Sequence, residues 1–161
     1  MTSHLDPTAR KRLDEWLERA AANAPSGAPE DIHIDEIDGG LLDKSRWVVG
    51  GLELLNAALG SPRLPDADWM ICLVFHLNPD AGEVPLSAKR PEDWTDSLGV
   101  TPPELVLVRA HDHAKFLQEF GREIGILSVG GAQSSVYVTD RRDHYGDEVE
   151  RVRHIWVVAG R

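Results

Sequence analysis

The sequence predicts an α+β domain in which a mixed or mostly antiparallel sheet of about five strands carries two or three helices. Three observations predict it. Apolar residues recur at helical spacing in two early segments, two runs at 69–77 and 105–108 are apolar without polar alternation, and the last third alternates like a β meander. A chain of 161 residues with 42% hydrophobic residues can bury one sizeable core without a staple. No repeat or internal boundary divides it, so residues 1–161 are expected to form one domain.

The first helix is expected from Asp6 as N-cap and Pro7 at the first helical position, with Leu13, Trp16, Leu17, Ala20, Ala21 and Ala24 on its packing face. Pro25, Gly27 and Pro29 end it. Ile32 and Ile34 then alternate with His33 and Asp35 in a short edge strand or extended segment. A second helix is expected to start near Asp43 or Ser45 and to run through Trp47, Leu52 and Leu55 to Leu59, with Gly60 and Pro62 as its stop. Gly50-Gly51 lies inside it. Paired glycines there imply a bend or a close neighbour, because each costs about 1 kcal/mol against Ala.

Trp69 to Leu77 reads as the central strand, buried on both faces. Residues 78–103 hold five of the prolines and form a long surface loop, with one short helix expected around Glu92 to Leu98. Glu104 to Arg109 is a second buried strand, and Asp112 is placed to cap a helix through Phe116, Leu117 and Phe120. Strands at 124–129, 134–139 and 150–159 close the chain, with a turn at 142–147. In the last of these, Val152, His154, Trp156 and Val158 share one face.

The formal charge of −10 disfavours sequence-independent binding to nucleic acid or to anionic membrane, both of which need Lys and Arg against phosphate. It points to a basic protein partner. Residues 1–80 hold 14 acids against 7 bases, and Glu30, Asp31, Asp35, Glu36, Asp38 and Asp43 follow one another without a Lys or Arg. Trp94, beside Glu92, Asp93 and Asp96, supplies an aromatic anchor on the long loop. The candidate partner-binding residues are therefore Asp31, Asp35, Glu36, Asp38 and Trp94. The plainer alternative is a solvated acidic face.

A single cysteine, Cys72, sits in an apolar run and excludes both an internal disulfide and a multi-Cys zinc site. With no signal-like N-terminus and no apolar stretch of spanning length, a reducing cytoplasm is expected. No phosphate-cradling glycine loop and no nucleophile elbow occurs.

His111-Asp112-His113 is the sharpest chemical motif. On an extended segment, His-x-His directs two imidazoles at one divalent transition metal, and His76 at the end of the other buried strand would be a third ligand, with Asp80 or His144 completing the shell. The longer metallohydrolase signature fails at Lys115 and Phe116. A helix N-cap at Asp112 with His111 and His113 as exposed neighbours explains the triplet without a metal, and is the reading preferred.

The function predicted is a non-enzymatic acidic protein-binding module, of an inhibitor, immunity or counter-defence type, that needs no cofactor. The alternatives are a small metal-dependent hydrolase using the His-Asp-His cluster, or an assembly component forming a homo-oligomer through a sheet edge.

Overall fold

The computed structural model describes residues 7–23, 32–34, 44–61, 68–80, 103–129 and 132–159. Their elements are α1 (Pro7–Asn23), β1 (Ile32–Ile34), α2 (Lys44–Leu59), β2 (Trp69–His76), β3 (Glu104–Arg109), α3 (Ala110–Phe120), β4 (Gly121–Val129), β5 (Ala132–Tyr145) and β6 (Glu148–Val158). The α+β architecture is as predicted. The sheet has the order β1-β3-β2-β6-β5-β4, and every described pair is antiparallel. The three-residue β1 is an edge strand, and the other five strands make up the body of the sheet.

β2 lies inside the sheet, between β3 and β6, which is why its sequence lacks polar alternation. Trp69, Ile71, Leu73 and Phe75 face one side, where they join Leu105, Leu107, Val136, Ile155 and Val157. Cys72 and Val74 face the other with Val106 and Val108. Cys72 is fully buried.

The larger core is closed by α1 and α2. Leu13, Trp16, Leu17 and Ala20 of α1 and Leu54, Leu55 and Ala58 of α2 belong to it, the faces the 3.6-residue period selects. Ala21 is exposed, so the buried stripe of α1 is narrower than predicted. Gly51 is buried in α2, and the close neighbour is the Leu73 side chain. A Cβ at Gly51 would stand 2.9 Å from Leu73 Cδ2 and 3.3 Å from Pro103 Cγ.

β3 passes directly into α3. The N-cap is Arg109, in extended conformation and without a side-chain cap, so Asp112 falls in the first helical turn rather than at the cap. Its carboxylate still sits at the positive end of the helix. The Ala110 N–H donates to the Asp68 carbonyl at 2.9 Å, pinning the junction to the start of β2.

The closing hairpin is longer than predicted. β5 and β6 pair from Ser135↔Val158 to Tyr145↔Glu148, leaving only Gly146 and Asp147 in the turn. Gly146 has φ +64°, the left-handed conformation that glycine adopts without a Cβ penalty. No helix among the described residues is long and apolar enough to cross a membrane. The expected helix at 92–98 lies outside the described residues.

Candidate functional site

The end of β2 brings three chemical groups together. Because β2 is flanked by β3 and β6, its last residue, His76, meets His154 directly across the register and Glu104 from the strand on the other side. Val74 is the residue paired with Glu104, so Glu104 and His76 share a sheet face. His154 Nε2 lies 2.9 Å from His76 Nδ1, with the rings edge to face at a centroid distance of 4.5 Å. His76 Nε2 lies 3.2 Å from Glu104 Oε1, at ion-pair distance but without hydrogen-bond alignment.

The carboxylate favours a proton on His76 Nε2, which leaves Nδ1 as the acceptor for the N–H of His154. His154 Nδ1 then carries a lone pair. It is buried without a hydrogen-bond partner among the described residues. Burial, followed by repulsion from His76 and Arg141, lowers the pKa of His154 to about 4. This imidazole is neutral at physiological pH.

α3 lies over the same sheet face and adds a second neutral imidazole. His113 is 7% exposed, its Nε2 has no partner among the described residues, and burial lowers its pKa to about 4. Its ring meets Trp156 edge to face at 4.5 Å. Phe116, one turn on, contacts Trp156 at 5.9 Å and takes the Arg141 guanidinium over its face at 5.2 Å. The indole N–H of Trp156 donates to Thr139 Oγ1 at 2.9 Å, which fixes the ring.

These groups line a half-open pocket of about 450 Å³. Val74, Val106 and Val108 contribute apolar lining, and His113, Phe116 and Trp156 contribute aromatic rings. Glu104, His76 and His154 supply polar groups, joined by Arg141, Asp112 and Arg109. Arg141 is already engaged by Asp143 at 3.3 Å, and the Arg109 guanidinium lies over the Trp69 ring at 5.1 Å.

A second feature is the tip of the β5–β6 hairpin. Residues 143–150 hold Asp143, Asp147, Glu148 and Glu150 and no Lys or Arg. Tyr145 and Val149 there are 61% and 50% exposed. The pairings Tyr145↔Glu148 and His144↔Val149 put the two side chains on opposite faces of the ribbon. Deeper in the hairpin, Arg151 binds Asp140 through two bonds of 2.6 and 2.9 Å, and Arg153 approaches the same carboxylate at 3.8 Å. Arg151 and Arg153 therefore pair with Asp140, while Arg141 takes Asp143 of the tip.

The sequence-predicted residues divide into three groups. Asp31, Asp35, Glu36, Asp38 and Trp94 lie outside the described residues. His111 and His113 are on a helix instead of an extended segment, so two residues apart they point about 200° away from each other. His111 is accordingly exposed while His113 is buried. β2 and β3 also run antiparallel with Trp69 opposite Arg109, which sets His76 and His111 at opposite ends of the strand pair.

Only His76 and His113 of the predicted trio line the cavity. Asp80 sits in an exposed turn, its N–H bonded to Asn78 Oδ1, and His144 is in the hairpin. Among the described residues, no group of three or more His, Cys, Asp or Glu side chains is arranged to hold a metal ion. Sequence reasoning missed Glu104, Phe116 and Arg141 as members of this site. The shared face of His154 and Trp156 was the one local signal available.

No family model, no curated protein and no solved structure matches this chain.

Proposed function

We propose that this protein is an acidic, non-enzymatic binding module that engages a basic protein partner, and that the tip of the β5–β6 hairpin is part of its contact surface. The observation that carries this reading is the hairpin tip, where exposed Tyr145 stands on a ribbon end that also carries Asp147, Glu148 and Glu150, with Asp143 paired to Arg141 and exposed Val149 on the opposite face. Acids of one sign steer a basic partner and raise the encounter rate, while an exposed aromatic supplies contact area at low entropic cost. The net charge of −10 and the acidic run containing Asp31, Asp35, Glu36 and Asp38 support the same partner chemistry. An inhibitor, immunity or counter-defence role is the biological form such a module takes.

The test is affinity capture followed by direct titration of the captured, purified partner. Wild type is compared with Tyr145→Ala and with a tip variant carrying Asp143→Asn, Asp147→Asn, Glu148→Gln and Glu150→Gln. The expected result is a basic partner whose association slows with added salt, with at least tenfold weaker binding by both variants. A neutral or acidic partner, or unchanged affinity in both variants, refutes the reading.

A second reading, homo-oligomerisation through a sheet edge, is favoured by one observation. β4 is an edge strand of nine residues with Ile126 57% exposed, although the register shift between Glu123 and Gly125 interrupts the edge. Solution mass that falls to the monomer on Ile126→Lys substitution is the result this reading requires.

A further inference from the structure

The cavity beside α3 has a chemistry of its own, separate from the hairpin tip. Its volume of about 450 Å³ falls within the range of roughly 300–1,000 Å³ usual for small-molecule sites. Valines and aromatic rings make up much of its lining, a composition that favours an apolar ligand body.

The charges of the lining cancel. Arg109 and Arg141 are balanced by Glu104 and Asp112, and Arg141 is already held by Asp143 and Phe116. Burial keeps His113 and His154 neutral near pH 7, so neither imidazole attracts an anion. An ionic ligand would pay its desolvation cost without a net opposite charge to offset it.

Hydrogen-bonding capacity nevertheless remains unused. His113 Nε2 and His154 Nδ1 are both buried and unpartnered among the described residues, and both rings pack against Trp156. Buried polar atoms are normally satisfied. Four on residues lining this pocket make no hydrogen bond among the described residues. Of these, His76 Nε2 lies against Glu104 and Arg141 Nε belongs to a guanidinium paired with Asp143, which leaves the two imidazole nitrogens for a ligand's polar group or a water. In a neutral imidazole the bare nitrogen accepts and the protonated one donates, so each of these nitrogens can bond an uncharged polar group.

We propose that this cavity binds a small uncharged aromatic molecule bearing one hydrogen-bonding group, of the phenol or aryl-amide class. The ring packs among Val74, Val108, Phe116 and Trp156, and the polar group bonds to one of the two unpartnered imidazole nitrogens once a shift of the side chains over it brings that nitrogen to the pocket surface. This site is independent of the partner-binding surface, and either stands without the other.

The experiment titrates wild-type protein at neutral pH with phenol, benzamide, benzoate and benzylamine, following the indole N–H resonance of Trp156 by NMR. Phenol or benzamide should shift it saturably, with affinity at least tenfold above that of the two charged probes. Intermolecular NOEs should run from the bound ring to the methyls of Val74 and Val108, and Phe116→Ala should weaken binding at least fivefold. The proposal is overturned if no probe moves the Trp156 resonance or if a charged probe binds as well as the neutral ones. It is equally overturned by a neutral probe that binds without NOEs to those valines, a readout on wild type that holds whether or not the Phe116 variant folds.

Discussion

His76 and His154 face each other across the β2–β6 register and share one hydrogen bond of 2.9 Å. Only one of the two nitrogens in that contact can carry the proton, so the pair acts as a unit whose outer nitrogen, on His154, is closed off from water. The consequence for pH dependence is specific. An imidazole whose folded pKa is lowered binds its proton more readily in the unfolded chain, so protonation favours unfolding.

His154 and His113 both fall from 6.5 to about 4. Their contribution to stability is complete above pH 6.5, declines as the pH falls toward 4, and changes no further below that. Each is worth about 2–3 kcal/mol at full effect after discounting for residual solvent screening. Urea midpoints measured between pH 7.5 and 4 should fall across this window, and His113→Leu should flatten the slope. Asp140, held below its ordinary value chiefly by its hydrogen bond from Arg151, loses its contribution only at lower pH, so the two causes separate on the pH axis.

Gly51 and Leu73 provide a packing test. Alanine has the better helix propensity by about 1 kcal/mol, yet its Cβ at this position would stand 2.9 Å from the fully buried Leu73 side chain. Gly51→Ala should therefore destabilise by about 1–2 kcal/mol. Leu73→Ala alone should cost about 2–5 kcal/mol. In the double variant the added methyl enters the vacated space, and chemical denaturation should show it recovering part of the Leu73→Ala loss.

How much of this was legible in the sequence depends on the range over which each feature is determined. The helices, the doubly buried β2 and the shared face of His154 and Trp156 follow from periodicity, which is local. The His76–His154 pair joins residues 78 positions apart, and only strand order and register create it. His111-Asp112-His113 misled for a local reason. Ala110 starts α3 directly after β3, with no glycine or proline to hold the chain extended, so a motif expected to converge on a metal was wound onto two sides of a helix. The long β5–β6 ribbon was read short because its charged outer half lacks apolar alternation.

Asp140 joins two arginines of unequal burial, which ranks two substitutions. Arg153 is 4% exposed, whereas Arg151 lies at the surface with its guanidinium bonded to both Asp140 oxygens. Removing Arg151 leaves a carboxylate that water can solvate. Removing Asp140 takes an anion from the side of a buried guanidinium, which is the costlier change. Thermal melts should show a larger Tm drop for Asp140→Ala than for Arg151→Ala, and equal drops would mean that Arg153 gains nothing from this carboxylate.

The hairpin tip separates backbone from side-chain effects. Gly146 is in the left-handed region at φ +64°, and a Cβ there would meet nothing within 4 Å, so the cost of substitution is conformational alone. Gly146→Ala should destabilise by about 1–2 kcal/mol, and Gly146→Asn by less, since Asn tolerates this conformation. Tyr145→Ala, at an exposed position, should change stability by no more than about 0.5 kcal/mol. If Tyr145 anchors a basic partner, that variant loses binding while keeping its melting temperature. Gly146→Ala, which strains the turn that presents Tyr145, should lose some of both, and parallel melting and titration of the two variants distinguishes an anchor from a side chain that merely supports the fold.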